Sequence, residues 1–156
     1  MSPLKSLILY NLRSSYNVGA IFRTADAVGI DQIFLIGTTP CPTDKFTKEN
    51  TKITKTALGA EKSVAWSYSK TLTPVLNKLK KAGVKIIALE QDQTSTPYNK
   101  IKLPSGWALV VGEETKGLPK NVLTKCDQIV EIPMRGQKES LNVSVATGVV
   151  LFEFLK

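Results

Sequence analysis

A chain of 156 residues, 42% hydrophobic and 22% charged, suits one compact domain with a full core, and no apolar run approaches the about 20 residues that argue for a membrane span. Histidine is absent, which removes His triads, His general bases and most zinc sites, while two distant cysteines without metal-ligand spacing, Cys41 and Cys126, fit a reduced cytosolic setting. The net charge of +8 favours a polyanionic partner, nucleic acid foremost, although a lysine-rich surface kept for solubility gives the same balance.

Met1–Tyr10 carries one Lys and a brief apolar stretch without a small-residue cleavage site, so no secretory leader is expected. Ser6–Leu9 reads as a strand. Asn17–Val28 places Val18, Ile21, Phe22, Ala25 and Val28 at helical spacing, stopped by Gly29, and Gln32–Ile36 is the next strand. Gly37–Glu61 is polar and Lys-rich, broken early by Pro40 and Pro42, with one short helix around Thr51–Leu58; it is the expected mobile surface. Val64–Tyr68 suggests a strand, and Thr73 caps a helix with Pro74 at its first position that runs to Ala82 before Gly83.

Val84–Leu89 and Trp107–Val111 are unbroken apolar strands of the kind a doubly covered parallel sheet needs, with a polar loop between them. Pro119–Lys125 reads as a short helix and Gln128–Ile132 as the last strand. Val143–Leu155 is ambiguous in propensity, but its length and the apolar set Val145, Val149 and Phe152 favour a helix, with Gly148 marking close packing. Alternating strands and helices predict a single α/β domain over residues 1–156, its mostly parallel sheet covered on both faces, with ligands gathered at the carboxyl ends of the strands. Neither G-x-G-x-x-G nor G-x-x-x-x-G-K-[ST] occurs, so no dinucleotide fingerprint or P-loop accounts for the polar segments.

Three such segments stand out. Asn11–Ala25 lies at a strand-to-helix junction, where free backbone donors favour anions; read structurally, Asn17 is an N-cap, Gly19 a packing residue and Arg23 a surface charge. Leu109–Pro119 runs from an apolar strand into Gly112 and Gly117 with Glu113 and Glu114 between; Gly112 permits close approach of a ligand, or the segment is a plain turn. Ile132–Ala146 packs Ser140, Asn142 and Ser144 beside apolar residues, and capping of the last helix explains only one of them. Of 21 basic residues only Arg13, Arg23 and Arg135 are arginines, and each lies in one of these segments, a placement suited to planar donor forks.

In this order the segments resemble the signature motifs of the SpoU/TrmH family of SPOUT methyltransferases: N-x-G-x-I-x-R-x-A over Asn17–Ala25, G-x-E-x-x-G-L over Gly112–Leu118, and I-P-M…S-L-N-V-S-V-A over Ile132–Ala146. The resemblance spans nearly the whole chain. It implies an α/β fold whose C-terminal part is drawn into a deep trefoil knot, a rare exception to unknotted topology. It also implies S-adenosylmethionine as methyl donor, held at Leu89, Gly112, Ile132, Met134 and Leu141, and transfer to a ribose 2′-hydroxyl of structured tRNA or rRNA. Asn17, Arg23, Glu114, Ser140 and Asn142 are implied as the catalytic set, with spacing to Gly117 favouring Glu114 over Glu113. Arg stays protonated, so Arg23 fits a stabiliser of developing alkoxide better than a base, leaving a substrate phosphate or Glu114 to relay the proton. Arg13, Arg135 and Lys138, with the lysines between Lys45 and Lys62, are expected to hold RNA phosphates. A cytoplasmic homodimer joined through its first and last helices is implied, with neither metal nor membrane and without the N-terminal RNA-binding extension of many relatives. The alternatives are a non-catalytic RNA-binding protein on the same scaffold and a flavodoxin-like domain. The latter would need acidic or flavin-binding loops where the chain offers Asn11 and Arg13.

Overall fold

The computed structural model describes residues 2–156. β1 (Lys5–Tyr10) leads into α1 (Ser15–Val28), β2 (Gln32–Ile36), α2 (Thr51–Ala57), α3 (Ala60–Ser63), β3 (Ala65–Ser69), α4 (Thr73–Lys81) and β4 (Lys85–Leu89). A two-residue β5 (Thr96–Pro97) follows, then β6 (Trp107–Val111), α5 (Lys120–Leu123), β7 (Gln128–Glu131) and α6 (Val143–Phe154). The seven strands form one sheet in the order β3-β2-β1-β6-β4-β7-β5, and every pairing is parallel. All carboxyl ends therefore lie along one rim.

Alternation of side chains across each strand builds two cores. Leu7, Leu9, Ile33, Leu35, Ile87, Leu109 and Val111 face one side with Ile21, Phe22, Ile53, Val150 and Leu151 of the helices. Ile8, Phe34, Ile36, Ile86, Ala88 and Val110 face the other with Val75, Leu76, Leu79 and Val122. β6, buried at every position, is the central strand, and Trp107 meets Phe154 of α6 edge-on at 5.3 Å. These layers are the doubly covered parallel sheet that the apolar runs predict.

Several local expectations are corrected. The cap of α4 is Leu72, without a side-chain hydrogen bond, rather than Thr73, because the helix begins where Leu72 drops into the core. Within the polar Gly37–Glu61 stretch the expected short helix is present as α2, docked on α1 by buried Ile53 and Ala57. Gly19 makes that approach possible: a Cβ there would run into Thr56 Oγ1 and the carbonyl of Ile53, which bears out its packing role. In α6 the expected apolar set is solvent-facing, since Val145, Val149 and Phe152 are exposed while Thr147, Val150 and Leu151 point inward. A Cβ at Gly148 would find only ordinary contact, 3.7 Å from Thr24, so that glycine does not mark close packing. Among the described residues no helix is long and apolar enough to cross a membrane.

Candidate active site

The turn that follows β1 is fixed from both sides. Asn11 adopts a left-handed backbone (φ 53°), which Asn tolerates better than most residues, and its Oδ1 accepts from the backbone N–H of Thr38 at 3.1 Å. The buried Thr39 hydroxyl accepts from Leu12 N–H at 3.0 Å and lies 2.8 Å from the carbonyl of Ile36. Ser14, not Asn17, is the N-cap of α1, its side chain accepting from Asn17 N–H at 3.2 Å. Asn17 is thereby left with its amide free to face the other two segments.

Glu114, carried past the end of β6, places its carboxylate against the open end of α1. It accepts from the backbone N–H groups of Arg13 (3.2 Å) and Ser14 (3.1 Å) and from Asn17 Nδ2 at 3.4 Å. On the other side, Asn142 Nδ2 donates to Asn17 Oδ1 at 3.3 Å, while Asn142 Oδ1 caps α6 by accepting from Ser144 N–H (2.8 Å) and Val145 N–H (3.4 Å). Asn17 thus ties three segments far apart in the chain into one constellation. Burial pushes the Glu114 carboxyl up, but hydrogen bonds from its own backbone and from Ser14, Arg13 and Asn17 outweigh that and hold it below the ordinary carboxylate value. An acid held ionised in this way is a poor acceptor for a substrate proton.

Beside this constellation a cavity of about 200 Å³ opens at the carboxyl ends of β4, β6 and β7, and Leu89, Gly112, Ile132, Met134, Leu141 and Ser140 all line it. Gly112 is also required by the chain's own packing. A Cβ at that position would stand 2.7 Å from the backbone of Gly117 and 2.8 Å from Leu118, so the missing side chain admits the chain's own loop while the residue itself still lines the cavity. Glu113 closes the same loop in an isolated bridge with Gly117 and pairs with Arg13 Nε at 3.3 Å. Of the two acids, Glu114 is the one that meets the start of α1.

Charge distinguishes the cavity from the rest of the molecule. Glu90, Glu113, Glu114 and Glu131 line it against the single basic Lys116, an acidic pocket in a chain of net charge +8. Sequence reasoning missed Glu90, which seats the second loop: its Oε2 accepts from Leu118 N–H at 2.8 Å and its Oε1 from Gln91 N–H at 2.9 Å. Gly117 leaves room for that carboxylate, since a Cβ there would strike it. Its position as the first residue after an apolar strand was the available signal. Val143 and Ala146, from the first turn of α6, also line the cavity and were not anticipated.

Arg23 is exposed on α1 and does not line the cavity of its own chain. Arg135 and Lys138 stand exposed on the loop before α6. Tyr16 on α1 and Val145, Val149 and Phe152 on α6 are exposed apolar side chains, and Ala20, Thr24, Val145, Val149 and Phe152 share one shallow depression. Among the described residues, no cluster of three or more Cys, Asp or Glu side chains is placed to hold a metal ion.

Comparison with known proteins matches residues 5–152 to the model of the SpoU rRNA Methylase family. The 23S rRNA (guanosine-2'-O-)-methyltransferase RlmB of Neisseria meningitidis serogroup B is 37% identical over 151 residues, covering 97% of this chain and 58% of its own length. The chain therefore spans less than two thirds of that relative. The AdoMet-bound rRNA methyltransferase of Sinorhizobium meliloti superposes with a TM-score of 0.84 at 28% identity, over 99% of this chain and 56% of that one. A structure described as giving insight into the 2-OH methylation of C/U34 on tRNA superposes with a TM-score of 0.82 at 27% identity, over 97% of this chain and 94% of the other.

Proposed function

Because this chain belongs to the SpoU rRNA methylase family, we propose that it transfers a methyl group from S-adenosylmethionine to a ribose 2′-hydroxyl of tRNA or rRNA. One observation carries the proposal: the Asn17 amide joins Glu114 to Asn142 at the edge of a cavity lined by Leu89, Ile132, Met134 and Leu141.

The cavity fits the donor. Its apolar walls suit an adenine ring, and an excess of carboxylates suits a molecule whose reactive sulfur is cationic. When bound, the donor supplies an electrophilic methyl group. The remaining work falls to this chain's side chains. Ser140 and the Asn17–Asn142 pair orient the ribose at the cavity mouth, in line with the methyl group, so that much of the acceleration comes from positioning and exclusion of water. Glu114 is the ionised anchor of the constellation, and the proton of the 2′-hydroxyl leaves by another acceptor, a phosphate of the substrate. Arg23 stabilises the developing alkoxide with its fixed fork of donors.

Arg23 reaches this role only across a dimer. The exposed apolar side chains of α1 and α6 are the surface on which a second copy docks, bringing the arginine of one subunit to the cavity of the other. Arg13, Arg135 and Lys138 hold RNA phosphates around the mouth. The C-terminal trefoil knot belongs to the same proposal; its support is the packing of the segment after β7 over the loop after β4, where Gln91 Nε2 donates to the carbonyl of Glu139 at 2.5 Å. With tRNA or rRNA as substrate, the place of action is the cytoplasm.

The deciding experiment incubates the protein with methyl-labelled S-adenosylmethionine and total RNA, then digests the RNA to nucleosides. Label in a 2′-O-methylated nucleoside is the expected result. Label on a base, or none in RNA, overturns the assignment.

A further inference from the structure

The second hollow on the same rim lies away from the donor cavity. A groove of about 860 Å³ opens where β2 and β3 end, and Trp66, Tyr68, Lys45 and Lys48 all line it. Trp66 and Tyr68 are two apart on a strand and so share one face. The strand is the outermost of the sheet, where exposed aromatic side chains are an association hazard that a stable surface usually avoids. Tyr68 is nonetheless 50% exposed, and its hydroxyl donates to the Gly37 carbonyl at 2.9 Å. Its ring is therefore tethered at the hydroxyl while the residue stays half-exposed. Trp66 is half-buried against the core.

The lysines of the groove carry no ion pair among the described residues. The two acids that share the groove, Asp44 and Glu49, are engaged elsewhere. Asp44 Oδ1 accepts from the backbone N–H groups of Phe46 (2.8 Å) and Lys48 (2.9 Å), and Glu49 lies 3.8 Å from Lys62 Nζ. Phe46, 76% exposed, projects from the same turn, with Lys45 Nζ 5.2 Å from its ring. Exposed aromatic rings beside unpaired cations are the combination that binds single-stranded nucleic acid, bases stacking on the rings and phosphates meeting the lysines.

We propose that this groove is a stacking site for an unpaired flanking base of the RNA substrate, with Trp66 and Tyr68 as the stacking surface and Lys45 and Lys48 holding the adjoining phosphates. The site rests on the assignment of RNA as substrate. Neighbouring strands are about 4.8 Å apart, so a groove over β2 and β3 stands roughly 15 Å from a cavity over β4 and β6. The base it holds is therefore a few nucleotides from the modified one. Asn50, which lines the groove, donates to Ser15 at the start of α1 at 3.0 Å, linking this site to the catalytic segment.

The test titrates the full chain with a single-stranded RNA of about 12 nucleotides and with an abasic ribose-phosphate strand of equal length, following tryptophan fluorescence and affinity. Trp107 is fully buried, so a change on binding reports Trp66. The expected results are quenching by the RNA but not by the abasic strand, about fivefold or greater weakening in Tyr68→Ala, and recovery in Tyr68→Phe. S-adenosylhomocysteine should bind Tyr68→Ala as it binds wild type, which shows that the variant is folded. Equal affinity for both strands, or undiminished RNA affinity in Tyr68→Ala and in Trp66→Leu, overturns the groove while leaving the methyltransferase assignment intact. A wild-type chain that binds neither RNA nor S-adenosylhomocysteine overturns both.

Discussion

Arg23 and Glu114 show how much a single side chain's surroundings decide. Arg23 is a bare surface charge in one chain and a catalytic group only if a second chain presents it to the cavity. Arg23→Lys keeps the charge and loses the planar fork. Single-turnover assays should show most of the methyl transfer lost while calorimetry with S-adenosylhomocysteine shows unchanged binding; near-normal turnover would remove Arg23 from the site. Glu114 makes a different prediction. Its folded-state pKa lies below the ordinary 4.5, so the stability it supplies is complete above that value and is lost as pH falls through the folded pKa. In urea titrations Glu114→Gln should be less stable than wild type at neutral pH, and the difference should shrink as the solution is acidified below 4.5. A difference independent of pH would mean that the carboxylate charge is not what holds α1 in place.

Among the elements, the contact between α1 and α2 is the tightest to specify. Ala at position 19 would meet Thr56 and the Ile53 carbonyl, and overpacking of this kind costs about 1–3 kcal/mol. Gly19→Ala should lower the urea midpoint accordingly, and no shift would show that α2 yields freely. The amino-acid pattern reveals strands such as β6 because a run buried on both faces needs apolar residues throughout. It reveals α1 because five buried positions recur at helical spacing. It does not reveal β5, whose two residues carry no period, nor which side of α6 turns inward, since that helix is apolar nearly all round and Val145 reads like Val150. The motifs located Asn17, Glu114 and Asn142, but local patterns could not have shown that Asn17 bridges the other two, because partners about a hundred residues apart meet only through the sheet. Glu90 escaped because it belongs to no motif and acts by seating a neighbouring loop.

The whole molecule is the scale at which the remaining proposals stand or fall. Phe152 is 60% exposed, and a charge there should cost the isolated fold within about 0.5 kcal/mol. Phe152→Lys should nevertheless sediment as a monomer, bind S-adenosylhomocysteine and transfer no methyl group. An active monomer would refute the shared site. The knot has its own signature: a chain pulled from its two ends should stop short of the about 3.3–3.6 Å per residue of full extension, and full extension would deny the threading.

The strand order also has a consequence for biosynthesis. β1 is made first, yet one of its two neighbours is β6, so Lys5 waits for Trp107, and β6 in turn joins β1 to β4 at the middle of the sheet. A nascent polypeptide that has emerged only as far as Pro104 therefore exposes the inner border of the β3-β2-β1 half and a lone β4, both of whose neighbours are still to come, and these offer unpaired amides and apolar faces to other chains. Until the ribosome delivers β6 and β7, such an intermediate depends on chaperones or on speed of translation for its solubility.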